Sequence, residues 1–171
     1  MLALDVDGVL TDGRVLLGAD GVERKLFSVI DGHGLFMLRD AGVELAIITR
    51  EASGIARTRA TKLRIRCHEG VMKKGPVLRA LREELGLRKA EVAFMGDDLP
   101  DLEAFAEAGL RITVPTARPQ VLRAATWVTR APAGNGAVRE VCDALLKARA
   151  RGEKKATKAR AAGKAQARRK K

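Results

Sequence analysis

Short apolar runs alternate with amphipathic segments along most of the chain. The runs predict buried strands at residues 2–6, 44–49, 65–67, 92–95, 112–114 and 127–129. Apolar residues at helical spacing predict helices at residues 53–63, 74–85, 100–108, 119–124 and 137–146. Strands that alternate with such helices favour parallel pairing, with helices covering the sheet. The pattern therefore predicts an α/β fold, a Rossmann-like parallel sheet with helices on both faces.

This alternation is interrupted directly after the first strand. Residues 15–17 and 23–29 flank the turn-forming sequence Gly18-Ala19-Asp20-Gly21, a composition typical of a β-hairpin. A helix is predicted next, over residues 32–41, with Gly42 as its C-terminal glycine. We therefore predict a small β-hairpin flap after the first strand.

The net charge of +12 is concentrated at one end of the chain. Residues 147–171 contain 12 Lys or Arg and the single acid Glu153, so residues 1–146 are nearly neutral. The tail has almost no large apolar side chain, and such a composition favours disorder or a frayed helix. We predict a domain at residues 1–146 and a basic, disordered tail at residues 147–171. A solvated tail without a specific partner and a weak contact with a polyanion are both compatible with this composition.

Other features indicate where the protein works. The chain has no apolar run of the roughly 20 residues that a membrane-spanning helix needs. Its N-terminus carries Asp5 and Asp7 within the first apolar run and does not resemble a signal peptide. Cys67 and Cys142 have no metal-ligand spacing. We predict a cytoplasmic protein with reduced cysteines and no membrane contact.

Polar side chains that could act in catalysis or bind a metal follow the predicted strands. Asp5 and Asp7 end the first strand, Thr49 ends the second, Asp97 follows residues 92–95, and Lys74 begins a helix. Ligands of open α/β sheets bind at the carboxyl ends of the strands, so these groups are expected to lie together. Converging carboxylates repel one another unless a hard cation such as Mg²⁺ binds them. The sequence therefore predicts a magnesium site.

These residue types suit phosphoryl transfer. Asp5 and Asp7 lie on the same side of an extended segment, so one carboxylate can attack phosphorus while the other protonates the leaving oxygen. Lys74 and Thr49 are expected to hold the phosphoryl oxygens. The predicted activity is hydrolysis of a phosphate monoester with Asp5 as nucleophile.

The same residues carry a family resemblance. The segment Asp5-Val6-Asp7-Gly8-Val9-Leu10-Thr11-Asp12-Gly13 resembles the first motif of the haloacid dehalogenase superfamily in its phosphatase form. Thr49, Lys74 and Gly96-Asp97-Asp98-Leu99-Pro100-Asp101 match the second, third and fourth motifs in order. With Ser28-Val29-Ile30-Asp31-Gly32 and Val138-Arg139-Glu140-Val141-Cys142-Asp143, residues 2–146 resemble the 3-deoxy-manno-octulosonate 8-phosphate phosphatases.

The resemblance implies specific roles. Asp5 would form an aspartyl-phosphate, and Asp7 would act as general acid and then base. The metal ligands would be Asp5, Asp97 and the backbone carbonyl of Asp7, with Asp98 and Asp101 in or near the surrounding shell. The implied substrate contacts are Asp7, Ser28, Val29, Ile30, Asp31, Gly32, Arg50, Arg59 and Lys74. Such enzymes lack a large cap domain and form homotetramers in which a neighbour helps to close each site.

Several positions depart from the family pattern and keep other functions open. The sequence after the second strand is Thr49-Arg50-Glu51 instead of Thr-Gly-Arg, and Ile30 and Phe36 stand where basic residues are usual. These differences affect substrate recognition and spare the hydrolytic residues. The alternatives are a phosphatase for another sugar acid or small phosphomonoester, and a non-catalytic interaction domain of the same fold.

Overall fold

Six parallel strands form the central sheet. The computed structural model describes the backbone of residues 1–168, and the side chains through Gly152 and at Lys154. In chain order the strands are β1 (Leu2–Leu4), β2 (Leu16–Leu17), β3 (Glu23–Arg24), β4 (Leu45–Ile48), β5 (Arg66–His68), β6 (Ala93–Met95), β7 (Leu110–Thr113) and β8 (Trp127–Val128). The sheet order is β5-β4-β1-β6-β7-β8, and each neighbouring pair is parallel. The predicted parallel sheet is confirmed.

Helices flank the sheet in packed pairs. They are α1 (Val29–Asp40), α2 (Ile55–Leu63), α3 (Lys74–Glu84), α4 (Asp101–Phe105), α5 (Pro119–Ala124) and α6 (Ala137–Arg168), with a 3₁₀ turn at Lys89–Glu91. Helix α1 packs on α6, and α3 packs on α4. The predicted α/β fold, with helices covering the sheet, is confirmed.

The centre of the sheet supplies most of the core. Strand β1 is fully buried between β4 and β6, with Leu2 beside Leu45 and Ala93. Phe94 of β6 meets Phe105 of α4 edge to face, with ring centroids 6.1 Å apart. Aromatic side chains are few, so aliphatic residues of the strands fill most of the interior. The loops that follow β1 and β6 therefore start from fully buried strands.

The hairpin is present but shorter than expected. Strands β2 and β3 pair antiparallel in a separate two-stranded sheet. The prediction that the second strand extends to residue 29 and that the helix begins at residue 32 is wrong, because α1 begins at Val29. Ser28 caps this helix, and its hydroxyl accepts a hydrogen bond of 3.2 Å from the Asp31 amide. Residues 29–32 consequently form the first turn of α1 rather than a loop.

Helix α6 continues beyond the predicted domain boundary. It runs unbroken from Ala137 to Arg168, so the first part of the expected tail extends a helix that begins in the core. The division at residue 146 stays a prediction, and residues 169–171 of the tail lie outside the described residues. Within the described residues, no helix combines the length and apolar character needed to cross a membrane.

Candidate active site

Two adjacent strands deliver acidic residues to one edge of the sheet. Asp5 follows β1 directly, and its amide donates a hydrogen bond of 2.9 Å to the carbonyl of Met95, the last residue of β6. Gly96 and Asp97 continue from β6. Since β1 and β6 are parallel neighbours, their following residues emerge side by side. The structure thus brings Asp5 and Asp97 together, as the strand-end argument predicts.

Lys74 joins this pair from the first turn of α3. Its Nζ lies 2.8 Å from Asp5 Oδ1 and 2.6 Å from Asp101 Oδ1. The Lys74 side chain is 2% exposed and that of Asp101 is completely buried. A buried ammonium between two carboxylates has lost its water, so it depends on both for stabilisation. Lys74 therefore lies where the sequence places it, beside the expected nucleophile.

Asp101 makes more contacts with the site residues than its position at the end of the fourth motif indicates. One carboxylate oxygen binds Lys74, while Oδ2 accepts hydrogen bonds from the amides of Asp97 and Asp98 at 2.9 and 3.1 Å. At Gly96 a Cβ atom would run into the Asp101 carboxylate. Asp101 consequently fixes both the Lys74 ammonium and the turn that carries Asp97.

The carboxylates outnumber the cations at this edge, and their pKa values reflect it. Burial, with the nearby Asp101 carboxylate adding to it, raises the pKa of Asp5 to about 7. Burial and repulsion from Asp5 and Asp101 likewise raise the pKa of Asp97 to about 7. Burial alone would lower the pKa of Lys74, but the attraction of Asp5 and Asp101 raises it overall. The site thus carries excess negative charge, which Lys74 alone does not balance.

These residues fit a divalent cation. Asp5, Asp97 and Asp101 each place a carboxylate oxygen within 4.8 Å of the others. Asp97 Oδ1 is buried and has no hydrogen-bond partner, which is costly for a carboxylate oxygen unless a ligand binds it. Gly8 has φ +78°, and a Cβ there would strike the Asp97 carboxylate, so this space stays open. Oxygen ligands of this kind suit Mg²⁺.

Asp7 lies at the rim and has a partner that the sequence analysis missed. Its Oδ2 accepts a hydrogen bond of 2.7 Å from Lys25 Nζ, and its Oδ1 is 3.5 Å from the Thr11 hydroxyl. Lys25 follows β3 of the hairpin, and its side chain is 2% exposed. The pairing connects residues 18 positions apart, and no motif or spacing in the sequence signals it.

The second predicted phosphoryl-binding residue also lies at this edge. Thr49 follows β4, the other neighbour of β1, and is 1% exposed. Its hydroxyl accepts a hydrogen bond of 3.2 Å from the Glu51 amide. Arg50 is exposed. The role of Arg50 in binding substrate stays a prediction.

The residues of the predicted substrate segment, 28–32, differ in their exposure and contacts. Val29 and Ile30 are exposed by 83% and 57%, whereas Asp31 is buried. The Asp31 carboxylate accepts hydrogen bonds from the amides of Gly136 and Arg139 at 3.1 and 2.7 Å. Asp31 thereby caps the start of α6, a structural role that the sequence analysis missed. Its partners lie more than 100 residues away, so no local pattern reveals them.

Arg59 of α2 packs against this segment. Its guanidinium donates a hydrogen bond of 3.0 Å to the carbonyl of Ser28 and lies 5.3 Å from the centre of the Phe27 ring. A Cβ at Gly32 would strike the same guanidinium. Arg59 and Phe27 also line a cavity of about 220 Å³. The predicted substrate residues 28–32 and Arg59 therefore form one cluster, while their contact with substrate stays a prediction.

The raised pKa values predict a pH-dependent stability. The carboxyl pKa of Asp5 and Asp97 is about 7 in the folded protein and about 4 in an unfolded chain. Between these values the folded state holds protons that the unfolded state has released, so metal-free protein should lose stability as the pH rises. Added Mg²⁺ should then stabilise the protein more at about pH 8 than at about pH 5, because at the higher pH both carboxyl groups are deprotonated and can bind the ion.

Thermal unfolding with Mg²⁺ or EDTA at both pH values measures this effect. In the Asp97→Asn variant the Mg²⁺-dependent increase in Tm at the higher pH should be largely lost. Equal Mg²⁺ effects on the wild type at the two pH values would contradict the assignment of these carboxylates to the metal.

The chain belongs to the haloacid dehalogenase-like hydrolases. It matches that family over residues 47–141. Among curated proteins, it is 40% identical over 147 residues to the 3-deoxy-D-manno-octulosonate 8-phosphate phosphatase of Escherichia coli K12, covering 85% of this chain and 78% of that protein. The Yersinia pestis protein of the same name is 40% identical over the same length. The predicted family is confirmed, and the chain is a phosphatase of this class.

Solved structures give the same result. The 3-deoxy-D-manno-octulosonate 8-phosphate phosphatase of Moraxella catarrhalis, in complex with a magnesium ion, a phosphate ion and KDO, has a TM-score of 0.83 and 43% identity, covering 86% of this chain and 85% of that one. The cobalt-bound Haemophilus influenzae phosphatase has a TM-score of 0.82 and 37% identity, with 86% of each chain covered. Together with the acidic cluster, these structures confirm the predicted magnesium cofactor.

Proposed function

We propose that this protein hydrolyses 3-deoxy-D-manno-octulosonate 8-phosphate through an aspartyl-phosphate at Asp5. The observation that carries the proposal is the buried cluster of Asp5, Lys74 and Asp97, which combines a carboxylate nucleophile, a fixed cation and an oxygen-rich metal site. The choice of substrate is supported by relatives 40% identical over most of the chain. The proposal has two levels: the reaction class is phosphomonoester hydrolysis, and the identity of the sugar acid is the more specific claim.

The reaction proceeds in two balanced steps. An Asp5 oxygen forms a bond to phosphorus while the bond from phosphorus to the ester oxygen breaks, and Asp7, which begins this step protonated, gives its proton to that oxygen. Water then attacks the phosphorus of the aspartyl-phosphate, Asp7 takes its proton, and the bond to Asp5 breaks. Phosphate leaves, Asp5 is again a free carboxylate, and Asp7 again carries the proton it gave up in the first step.

Charge at the site supports these steps. Lys74 Nζ, 2.8 Å from Asp5 Oδ1, is placed to neutralise phosphoryl oxygens next to the nucleophile. The Thr49 hydroxyl, at the end of β4, is placed to donate to the same group. Asp5, Asp97 and the Asp7 backbone carbonyl would hold Mg²⁺. When bound, Mg²⁺ supplies positive charge that favours ionised Asp5 and offsets the charge of the phosphate.

A panel of phosphate esters tests the substrate. Phosphate release with Mg²⁺ should show the highest kcat/KM for 3-deoxy-D-manno-octulosonate 8-phosphate, above other sugar-acid phosphates and simple sugar phosphates. Because exposed Ile30 replaces a basic residue usual in the family, Ile30→Arg should lower the KM for sugar-acid phosphates while leaving phenyl phosphate unaffected. A clear preference for another ester would favour the alternative substrate, and no turnover of any ester would favour a non-catalytic domain.

We also propose that the protein forms a homotetramer. Apolar side chains on the hairpin and the start of α1 are strongly exposed: Leu16 by 67%, Leu17 by 65%, Leu26 by 84% and Val29 by 83%. Exposed apolar groups that lie close together mark surfaces for association. A second copy of the chain covering the hairpin would bury them and close the site beside it.

Light scattering tests the assembly. The wild type should have about four times the mass of one chain, and Leu16→Ser with Leu17→Ser should shift it towards smaller species. Circular dichroism of the double variant should remain that of a folded α/β protein. A monomeric wild type at working concentrations would remove this proposal.

The basic tail suggests a weak contact with a polyanion. Residues 147–171 carry 12 of the 33 basic residues of the chain, and α6 continues into them. Loss of heparin retention in a chain that ends at residue 146 would support this contact, whereas unchanged retention would argue for a solvated tail.

A further inference from the structure

Within the described residues, one polar contact joins the hairpin, residues 15–26, to the loop after β1 that carries Asp7. Among the described hydrogen bonds and ion pairs of residues 15–26, all lie within the hairpin except the one between Lys25 and Asp7. Most residues in this stretch are exposed, and Lys25 is an exception, with a side chain that is 2% exposed. The lysine therefore runs from the flap into the protein and ends at the proposed general acid.

Lys25 also dominates the contacts of the Asp7 carboxylate. The 2.7 Å distance to Oδ2 is that of a strong, charge-assisted hydrogen bond. The 3.5 Å distance from Oδ1 to the Thr11 hydroxyl is at the limit of hydrogen bonding. Without Lys25 the carboxylate would keep only the weaker contact and could rotate about its side-chain bonds.

We propose that Lys25 is a positioning residue that orients Asp7 for proton transfer, an inference that rests on the proposed function. Lys25 donates a hydrogen bond to Oδ2, so in the acid form of Asp7 the proton is carried on Oδ1 and passes from there to the leaving group. The orientation of the Asp7 carboxyl group consequently depends on the hairpin lying against the loop after β1, where Lys25 reaches Asp7. In the described contacts Lys25 touches the Asp7 side chain but neither the attacking Asp5 nor the Asp97 carboxylate.

Two aryl phosphates whose leaving groups differ in basicity test this role. Phenyl phosphate needs a proton on its departing oxygen, whereas 2,4-dinitrophenolate leaves without one. For Lys25→Met, kcat/KM should fall about 10- to 100-fold for phenyl phosphate, a range below that of a whole general acid. For 2,4-dinitrophenyl phosphate it should fall less than about threefold. Lys25→Arg should recover part of the loss, and Arg24→Met, at an exposed neighbouring position, should behave as wild type.

A double-mutant cycle shows whether Lys25 acts through Asp7. In the Asp7→Asn background, Lys25→Met should add little to the loss for phenyl phosphate, because coupled residues are not additive. An equal loss on both esters, or a full additional loss in Asp7→Asn, would overturn the proposal. If the wild type hydrolysed neither these aryl phosphates nor any sugar phosphate of the panel, the proposed function would be overturned instead. Thermal unfolding of each variant confirms that the proteins compared are folded.

Discussion

Asp5→Asn is expected to abolish phosphate release from every ester that the wild type hydrolyses, with kcat reduced about 10⁴-fold or more. The amide cannot form the aspartyl-phosphate, and no described carboxylate occupies the same position after β1. The loss should be as large for 2,4-dinitrophenyl phosphate as for phenyl phosphate, because nucleophilic attack is required whatever group leaves. Steady-state phosphate release with Mg²⁺ measures it.

Asp5→Asn should affect the catalytic step and not the folding of the protein. Asp5→Asn removes one of several mutually repelling carboxylates and also one of the two carboxylates that stabilise the Lys74 ammonium. These effects oppose each other, so the variant should remain folded, which its thermal unfolding checks. Asp40→Asn is a matched control, because the Asp40 side chain is 67% exposed at the end of α1. Substantial turnover by Asp5→Asn would show that the reaction does not use this nucleophile.

Lys74→Met is expected to reduce both activity and stability. The substitution leaves Asp5 and Asp101 buried without the ammonium that lies 2.8 and 2.6 Å from them. Removing one partner of a buried ion pair costs about 3–5 kcal/mol, and loss of a fixed charge at a reacting group costs about 10²- to 10³-fold in kcat. Urea unfolding and phosphate release measure the two effects separately.

A neighbouring residue supplies the control. Lys73 is exposed while Lys74 is buried, so Lys73→Met removes the same charge from the same helix start without touching the carboxylates. It should retain nearly full stability and activity. If Lys74→Met unfolds at the same urea concentration as Lys73→Met, then the buried ion pairs do not stabilise the protein.

The sequence was a good guide to groups that strand ends bring together. Asp5, Asp97 and Thr49 each follow a parallel strand, and strands of one sheet direct their following residues to one edge. The apolar runs of β1, β4 and β6 therefore predict the convergence without knowledge of side-chain contacts. Lys74 was also placed correctly, because it begins the helix that follows β5.

Other contacts depend on distances that a sequence does not contain. Lys25 reaches Asp7 because the hairpin folds back over the first loop, and residues 23–29 alone predict no more than a strand. The family resemblance implies that Asp31 contacts substrate, and nothing in the local sequence indicates that its carboxylate also binds the amides at the start of α6. The start of α1 differs from the prediction because the cap at Ser28 decides it, whereas an apolar Val29-Ile30 pair also suits a strand.

The link from Asp31 to α6 restricts how this enzyme can change over evolutionary time. A mutation at position 31 that favoured a new substrate would also release the amides of Gly136 and Arg139, so selection for function and selection for folding would oppose each other. The side chains of Val29 and Ile30 are exposed, so substitutions there would not disturb the start of α6 in the same way. Given the predicted substrate contacts of residues 29 and 30, new specificities should arise by substitution at these two positions, with the acid at 31 retained among descendants that have lost their ancestral substrate.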